Sequence, residues 1–189
     1  MEIETERLHL REFTTDDIDP ITAYRSDPRY LEHYPWSTWS QPRSEAFVDG
    51  CMTAGAEDPR REYDLGVALR GIGRLIGSCG LRLLDDGAKR ADIGFELSPD
   101  YWGNGYATES VSAILELGFD RIGLEEVEAR CVVANRRSAN VLHRLDFSEA
   151  ERLPVGPGLG GFTWPERILF RLSRASWREA RTSPPCHGD

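Results

Sequence analysis

The sequence predicts a single domain of the α+β class in which most strands are antiparallel. Apolar and polar residues alternate around Leu8 and Leu10, as in a half-buried strand. Residues 106–122 instead carry apolar side chains at steps of three and four, as in an amphipathic helix. No internal repeat or linker divides the chain. We therefore expect one domain over residues 1–180 and a disordered tail at residues 181–189.

The predicted elements follow one another as strand, one or two helices, three strands, helix, strand, helix and strand. Thr14 to Asp17 offers capping oxygens to the first helix, and Ser40 or Ser44 offers one to the helix that carries Phe47. A tight turn at Gly71 to Gly73 joins two of the strands as a hairpin. The strands are predicted at residues 7–11, 63–69, 74–83, 91–97, 127–133 and 167–172, and the later helices at residues 106–122 and 139–145.

Composition and charge narrow the classes of function. The chain has 189 residues, of which 40% are hydrophobic, and a net charge of −9, of which −7 falls within residues 1–62. An acidic surface repels the phosphates of nucleic acids and attracts cations, so the charge disfavours DNA or RNA as ligands and points to amines. No apolar run reaches the roughly 20 residues of a membrane span, and the charged N-terminus differs from a signal peptide. We therefore expect a cytoplasmic protein.

Several common ligand motifs are missing from the sequence. The cysteines are far apart and form no CxxC pair, which argues against a disulfide framework and a zinc site. They are Cys51, Cys79, Cys131 and Cys186. The glycines at 71 and 73 lack the third glycine of a dinucleotide-binding fingerprint, because position 76 is Ile76, and the only lysine, Lys89, does not belong to a P-loop. We therefore expect reduced thiols, no bound metal and no nucleotide-phosphate chemistry.

The segment from Tyr101 to Glu109, Tyr-Trp-Gly-Asn-Gly-Tyr-Ala-Thr-Glu, lies between a predicted strand and the strongest predicted helix. The first N–H groups of a helix have no partner within the helix and lie at the positive end of its dipole. Glycines at 103 and 105 permit unusual φ angles, so that these N–H groups can converge on one point. The segment therefore predicts a site for an anionic group such as a pyrophosphate, or else a glycine-rich turn without a ligand.

Two segments together, Ile93 to Leu97 and Tyr101 to Glu109, resemble the acetyl-CoA motif of the GNAT superfamily of N-acetyltransferases. Asn135 to Phe147 resembles the next motif of that superfamily, and Thr5 to Arg11 resembles the opening of its ribosomal-protein N-terminal acetyltransferase branch. The resemblance spans residues 3–180 in the same element order. It implies a three-layer α/β/α domain whose mixed, mostly antiparallel central sheet contains a splayed strand pair that binds acetyl-CoA.

The same resemblance implies an acyltransferase that moves acetyl from acetyl-CoA directly to a primary amine, with no covalent enzyme intermediate. Glu96 is the candidate base, directly or through a water, and Glu109 is a second candidate; a raised pKa would help Glu96 to accept a proton. Ser138 is the candidate proton donor to the departing thiolate, or else a helix N-cap. The implied cofactor-binding residues are Phe95, Leu97, Ser98, Trp102, Gly103, Asn104, Gly105, Tyr106, Ala107, Thr108 and Asn135.

Three residues depart from the pattern of the superfamily. Leu142 replaces a tyrosine that many members place there to donate a proton, and Asp100 replaces an arginine or glutamine near the pyrophosphate. We expect Asp100 to weaken cofactor binding if its carboxylate points inward. Asp146 replaces a glycine, and we expect it to adopt the left-handed conformation that aspartate tolerates better than most residues.

The amine acceptor stays open at this point. A protein N-terminus fits the branch, and an aminoglycoside, a polyamine or another small amino compound fits the acidic first third of the chain. Tyr34, Trp36, Trp39 and Trp164 are candidate rings of an acceptor pocket, or else rings packed onto the core. The alternative function is a catalytically degenerate sensor or interaction domain that binds an acyl-CoA without turnover. Members of the superfamily are often homodimers, although no pattern in this sequence marks an interface.

Overall fold

A mixed sheet forms the centre of the molecule. The computed structural model describes residues 1–84, 87, 89–158 and 161–182. Its strands are β1 (Glu2–Glu4), β2 (Leu8–Arg11), β3 (Leu65–Leu69), β4 (Leu75–Leu83), β5 (Arg90–Leu97), β6 (Glu126–Val132), β7 (Ser148–Leu153), β8 (Gly156–Pro157), β9 (Thr163–Trp164) and β10 (Arg167–Ser173). Among the described residues, eight strands form one sheet in the order β1-β2-β3-β4-β5-β6-β10-β7, while β8 and β9 pair with each other. Neighbours in the large sheet run antiparallel except β5 and β6, which run parallel.

Helices cover both faces of this sheet. They are α1 (Ile18–Arg25), α2 (Pro28–Leu31), α3 (Gln41–Gly55), α4 (Tyr106–Glu116), α5 (Arg136–Arg144) and α6 (Arg174–Thr182). Leu75 and Ile76 are consecutive residues of β4 and therefore point to opposite faces. Leu75 is buried in an apolar cluster with residues of α1, α2 and α3, whereas Ile76 is buried in a second cluster with residues of α4. The expected three-layer α/β/α arrangement of the α+β class is therefore confirmed.

Each strand and helix predicted from the sequence is present, with shifts of a few residues at the ends. Strand β7 was missed because nearly all of its residues are exposed, so it shows no apolar alternation, and α6 was missed because Trp177 is its one buried residue. Helix α6 continues to Thr182 and so contains the first two residues of the predicted tail, while residues 183–189 lie outside the described residues. No helix in the described part of the chain is both long and apolar enough to cross a membrane.

Strands β5 and β6 separate along their length. They pair only at residues 90–92 of β5, opposite residues 126–128 of β6, although β5 continues to Leu97 and β6 to Val132. On its other edge, β5 stays paired with β4 as far as Leu97. The edge of β5 that faces β6 is therefore open after Asp92, which confirms the splayed strand pair that the resemblance implies.

Left-handed backbone conformations occur at the tight turns around α4 and α5. Gly103 and Gly105 have φ angles of 79° and 80° and precede α4, and Gly123, at 90°, follows its π-helical extension Leu117–Ile122. Glycine has no Cβ to clash in this conformation. Asp146 is the single non-glycine residue with positive φ in the described chain, at 62°. The expectation that aspartate adopts the left-handed conformation after α5 is therefore confirmed.

Candidate active site

A cleft of about 320 Å³ opens between β5, the segment before α4, and α5. It contains both candidate catalytic residues and every predicted cofactor-binding residue except Ser98 and Asn104. The described residues that line it are Tyr30, His33, Tyr34, Phe95, Glu96, Leu97, Tyr101, Trp102, Gly103, Gly105, Tyr106, Ala107, Thr108, Asn135, Arg137, Ser138, Asn140, Val141 and Arg144. Segments that are far apart in the sequence therefore meet at one site.

The segment before α4 presents free backbone N–H groups to the cleft. The Glu109 N–H donates to the Gly105 carbonyl (3.0 Å) in the first hydrogen bond of the helix, so the N–H groups of residues 106–108 have no acceptor within it. A Cβ added at Gly103 would meet no atom within 4 Å, which leaves the space beside this turn open. Because the start of a helix attracts negative charge, these donors fit a phosphate-bearing ligand.

Two residues of β5 turn their backbone groups toward the open edge. The Ser98 N–H donates to the Ile76 carbonyl of β4 (2.7 Å), so the backbone groups of Phe95 and Leu97 point the other way, toward β6. The Leu97 carbonyl accepts a hydrogen bond from Trp102 Nε1 (2.9 Å). The expected role of Ser98 in this set is not supported, because its N–H already pairs with β4 and the residue does not line the cleft.

The start of α5 brings Asn135 and Ser138 to the cleft. Asn135 is the N-cap of the helix, and its Oδ1 accepts a hydrogen bond from the Ser138 N–H (3.1 Å). The alternative role of Ser138 as the N-cap is therefore wrong, because Asn135 fills that position. Leu142, which takes the place of the proton-donating tyrosine, is buried in the core and lines no part of the cleft.

The cleft carries positive charge from α5. Arg137 and Arg144 line it, and neither forms an ion pair within the part of the chain that the structure describes. The Arg137 guanidinium lies over the ring of Trp102, 5.0 Å from its centre. Asp100 does not line the cleft; its exposed carboxylate pairs with Arg29 (2.8 Å). The Asp100 carboxylate therefore does not point into the cleft. Asp100 was expected to weaken cofactor binding only if it did, so we no longer expect this effect.

Glu96 accepts hydrogen bonds from four side chains, and we call these five residues the Glu96 cluster. Its Oε1 accepts from Arg25 Nε (2.8 Å) and Nη2 (2.5 Å) and from the Tyr24 hydroxyl (2.6 Å). Its Oε2 accepts from the Tyr30 hydroxyl and, at 3.3 Å, from the Tyr34 hydroxyl. Both carboxylate oxygens of the candidate base are therefore occupied by donors from α1, α2 and the chain after α2.

The ion pair with Arg25 holds Glu96 in its charged form. Burial by itself raises the pKa of Glu96, but the charge of Arg25 and the hydrogen bonds from Tyr24 and Tyr30 outweigh burial and hold this pKa below its usual value. The shift is opposite to the one that would help Glu96 to take a proton from an ammonium group. Burial and the Glu96 charge also raise the pKa of Tyr30 and Tyr34, so both phenols stay protonated and donate.

Of the four candidate acceptor-pocket rings, only Tyr34 lines the cleft among the described residues. Tyr34 stacks on Tyr30 and on Trp36, with 4.6 and 4.7 Å between ring centres, and Trp164 meets it in a T-shaped contact at 5.9 Å. Trp39 packs behind Trp36 at 5.7 Å. Trp36, Trp39 and Trp164 therefore pack on one another and on Tyr34, behind the wall of the cleft, and belong to neither apolar core cluster.

Glu109, the second candidate base, joins the N-terminal segment to α4. Its carboxylate accepts hydrogen bonds from Thr5 Oγ1 (2.5 Å), Arg7 N (2.9 Å) and Arg7 Nε (2.7 Å). Arg7 also donates to the Asn104 carbonyl (2.9 Å) and lies over the Tyr106 ring. Burial raises the pKa of Glu109, but the bonds from Thr5 and Arg7 outweigh it and lower this pKa. Glu109 and Asn104 therefore brace the segment before α4 and do not line the cleft.

Replacing Glu109 by glutamine is expected to lower the free energy of unfolding by about 1 kcal/mol, because the amide keeps the shape but loses the charge that Arg7 pairs with. The expected loss of stability is modest because the Arg7 side chain is 44% exposed, so water screens its charge. Chemical denaturation measures the change. Glu116→Gln on the same helix is the control, since its pair with Arg181 is half exposed on both sides and is worth less than about 0.5 kcal/mol. Equal losses for the two variants would contradict the brace.

Several side chains of the site are not among the residues predicted from the sequence. Tyr24 and Arg25 contact Glu96 across 72 and 71 positions of sequence, and no local pattern connects residues so far apart. Tyr30 and His33 reach the cleft only because α2 packs beside the sheet. The cleft-lining residues of α5 could have been found from the sequence, because they recur at steps of three and four and therefore share one face of the helix. They are Arg137, Asn140, Val141 and Arg144.

Several proteins with similar sequences are named N-acetyltransferases. Residues 7–148 match the family model described as Acetyltransferase (GNAT) domain. The chain is 30% identical over 148 residues to a Bacillus licheniformis protein named Uncharacterized N-acetyltransferase p20, a match that covers 77% of this chain and 81% of that protein.

Two solved structures have a similar fold. RimL, a ribosomal L7/L12 alpha-N-protein acetyltransferase in complex with coenzyme A, has a TM-score of 0.77 at 16% identity, over 93% of this chain and 99% of that chain. MccE, a microcin C7 self immunity acetyltransferase in complex with acetyl-CoA and AMP, has a TM-score of 0.74 at 16% identity. This match covers 89% of the present chain and 93% of the MccE chain. The family model includes the three elements that form the cleft, and the chain therefore belongs to the GNAT acetyltransferase family and is an acyltransferase.

Proposed function

We propose that the protein transfers acetyl from acetyl-CoA directly to a primary amine. The observation that carries this proposal is that one cleft joins the open edge of β5, the free N–H groups at the start of α4, and Asn135 and Ser138 of α5. Acetyl-CoA supplies an activated acetyl thioester when it is bound. The two ends of the cleft then have separate tasks, one to hold the cofactor and one to receive the amine.

The parts of the cleft match the parts of acetyl-CoA. The N–H groups of residues 106–108 and the two glycines before them suit a pyrophosphate. The Phe95 and Leu97 backbone suits an extended pantetheine arm that pairs like a strand, and the Asn135 amide suits one of its carbonyls. Arg137 and Arg144 add positive charge for the phosphates. We assign the Ser138 hydroxyl as proton donor to the departing sulfur.

The charges of the cleft favour an acceptor with a single amine. Glu96 is the one acid in the described lining, and Arg25 already neutralises it. The described lining therefore offers no free carboxylate to pair with the additional ammonium groups of polyamines and aminoglycosides. RimL is named for acetylation of a protein α-amine, which is a single-amine acceptor. A protein N-terminus or a small monoamine is therefore the acceptor class that we favour.

Thiol release from acetyl-CoA with a panel of amines tests this function. We expect release with peptides that have a free Ala or Ser N-terminus or with small monoamines, at a kcat/KM at least about fivefold above that for spermidine or an aminoglycoside, since each additional ammonium group that enters without a partner costs about 1 kcal/mol or more. Calorimetry with acetyl-CoA is the binding control. Binding without release from any amine would support the degenerate acyl-CoA sensor instead, and an absence of binding would contradict the cofactor site.

A further inference from the structure

We propose that His33 is the general base that removes a proton from the ammonium group of the acceptor. This inference rests on the proposed acetyl transfer to an amine, and His33 is not among the site residues predicted from the sequence. An amine attacks only through its lone pair, so an acceptor that enters as an ammonium ion must first lose a proton.

The described lining contains two side chains of types that accept a proton near neutral pH, Glu96 and His33. The remaining polar side chains of the lining are phenols, indole, amides, hydroxyls and guanidinium groups, which do not serve as bases at that pH. The choice of base is therefore a choice between one carboxylate and one imidazole.

Both carboxylate oxygens of Glu96 already accept hydrogen bonds from neighbouring side chains. Its two oxygens accept five hydrogen bonds, and a proton on Oε1 would have to displace the Arg25 guanidinium in a place where the Arg25 side chain is 5% exposed and the Glu96 side chain 12%. Protonation would leave the buried Arg25 charge without its partner, which is costly. Glu96 is therefore a positioning residue, which holds Tyr30 and Tyr34 against β5.

His33 lies on the turn that the Glu96 cluster holds in place. Tyr30 and Tyr34 flank it in sequence, and both hydroxyls donate to Glu96, so the chain between them is tied to the wall of the cleft. His33 is half-buried, lines the same cleft, and has no hydrogen bond or ion pair with another described residue. Its imidazole can therefore take a proton without breaking an existing contact. The other charged groups of the described lining are the neutralised Glu96 and the cations Arg137 and Arg144.

The proton balance is simple. His33 takes one proton from the acceptor ammonium and passes it to solvent. The nitrogen lone pair then forms the new C–N bond, the C–S bond breaks with its electron pair on sulfur, and Ser138 supplies a proton to that sulfur. The nitrogen loses a second proton when the amide forms, and this proton restores the hydroxyl of Ser138. One proton is released for each acetyl group transferred.

The variant His33→Gln tests this assignment, because glutamine is polar and of similar size but does not accept a proton. We expect kcat/KM for a peptide amine to fall about 100-fold at neutral pH, and the acetyl-CoA Kd to stay within about twofold. The loss should shrink to a few-fold with an arylamine, which is already neutral at that pH. Added imidazole should restore activity to His33→Gly. His143→Gln, an exposed histidine of α5 paired with Glu149, is the control and should match the wild type.

Two results would overturn the role of His33 while leaving the proposed function intact. One is a kcat/KM of His33→Gln close to that of the wild type, and the other is an equal loss for the peptide amine and the arylamine. Failure of the wild-type protein to release thiol with any amine would instead reject acetyl transfer, and the role of His33 with it.

Discussion

The variant Arg25→Met is expected to lower the free energy of unfolding by about 3–5 kcal/mol at neutral pH, the usual cost of leaving a buried charge without its partner. The Arg25 and Glu96 side chains are 5% and 12% exposed, so water reaches neither of them freely. Methionine has a similar length and retains part of the packing between Trp39 and Phe47 that Arg25 makes. The loss therefore comes mainly from the Glu96 charge, and urea denaturation measures it.

The variant Arg43→Met is the control for this loss. Arg43 lies over the same Trp39 ring, 4.1 Å from its centre, but has no carboxylate partner among the described residues. Its replacement removes cation–π contacts with Trp36, Trp39 and Phe162 and an exposed hydrogen bond to the Thr38 carbonyl, but no ion pair with a carboxylate. It should cost about 1–2 kcal/mol. A loss for Arg25→Met no larger than that for Arg43→Met would show that the ion pair contributes little.

The pH dependence separates charge from packing in Arg25→Met. In the wild type the pKa of Glu96 is lowered, so the stability from the ion pair is present above the unfolded-state pKa and is lost as pH falls through the folded-state pKa. In the variant, burial without Arg25 raises this pKa, so the folded state binds a proton more tightly than the unfolded chain. The difference in the free energy of unfolding between Arg25→Met and the wild type should therefore be largest at neutral pH and become smaller as the pH falls and Glu96 is protonated. A difference that does not change with pH would point to lost packing.

Replacing Ser138 by alanine is expected to lower kcat by about 100-fold, the lower end of the range for a lost general acid. The reason is that the departing thiolate would leave without a proton. Stability should change by less than about 0.5 kcal/mol, because Asn135 caps α5 and Ser138 does not. Steady-state kinetics of thiol release and calorimetry with acetyl-CoA measure the two effects.

The conservative variant Ser138→Thr keeps a hydroxyl at the same position and should retain most of the activity. If Ser138→Thr retains activity and Ser138→Ala loses it, the two results together identify the hydroxyl as the group that supplies the proton. Equal activity of Ser138→Ala and the wild type would instead assign the proton to solvent, and a weakened acetyl-CoA Kd in Ser138→Ala would assign Ser138 to binding.

The fold class and the glycine turn before α4 could be predicted because their signals are local, and the resemblance to two family motifs added the other residues predicted to hold the cofactor. Apolar alternation marks the strands, steps of three and four mark α4, and the left-handed turn before α4 needs Gly103 and Gly105 at fixed spacing. Asn135 and Ser138 are likewise three residues apart on one helix. Strand β7 was missed for the same reason, since an exposed edge strand carries no apolar period.

The sequence by itself determined six of the eight strands of the large sheet, α4 and the glycine turn before α4, because these depend on neighbours within a few positions. Only the tertiary structure decided what surrounds Glu96. Arg25 and Tyr24 reach it from α1 across more than 70 positions, and their charge and hydrogen bonds lower a pKa that burial alone would raise. The identity of the base depends on this packing, since the protonation of a buried group is set by whatever lies beside it in space.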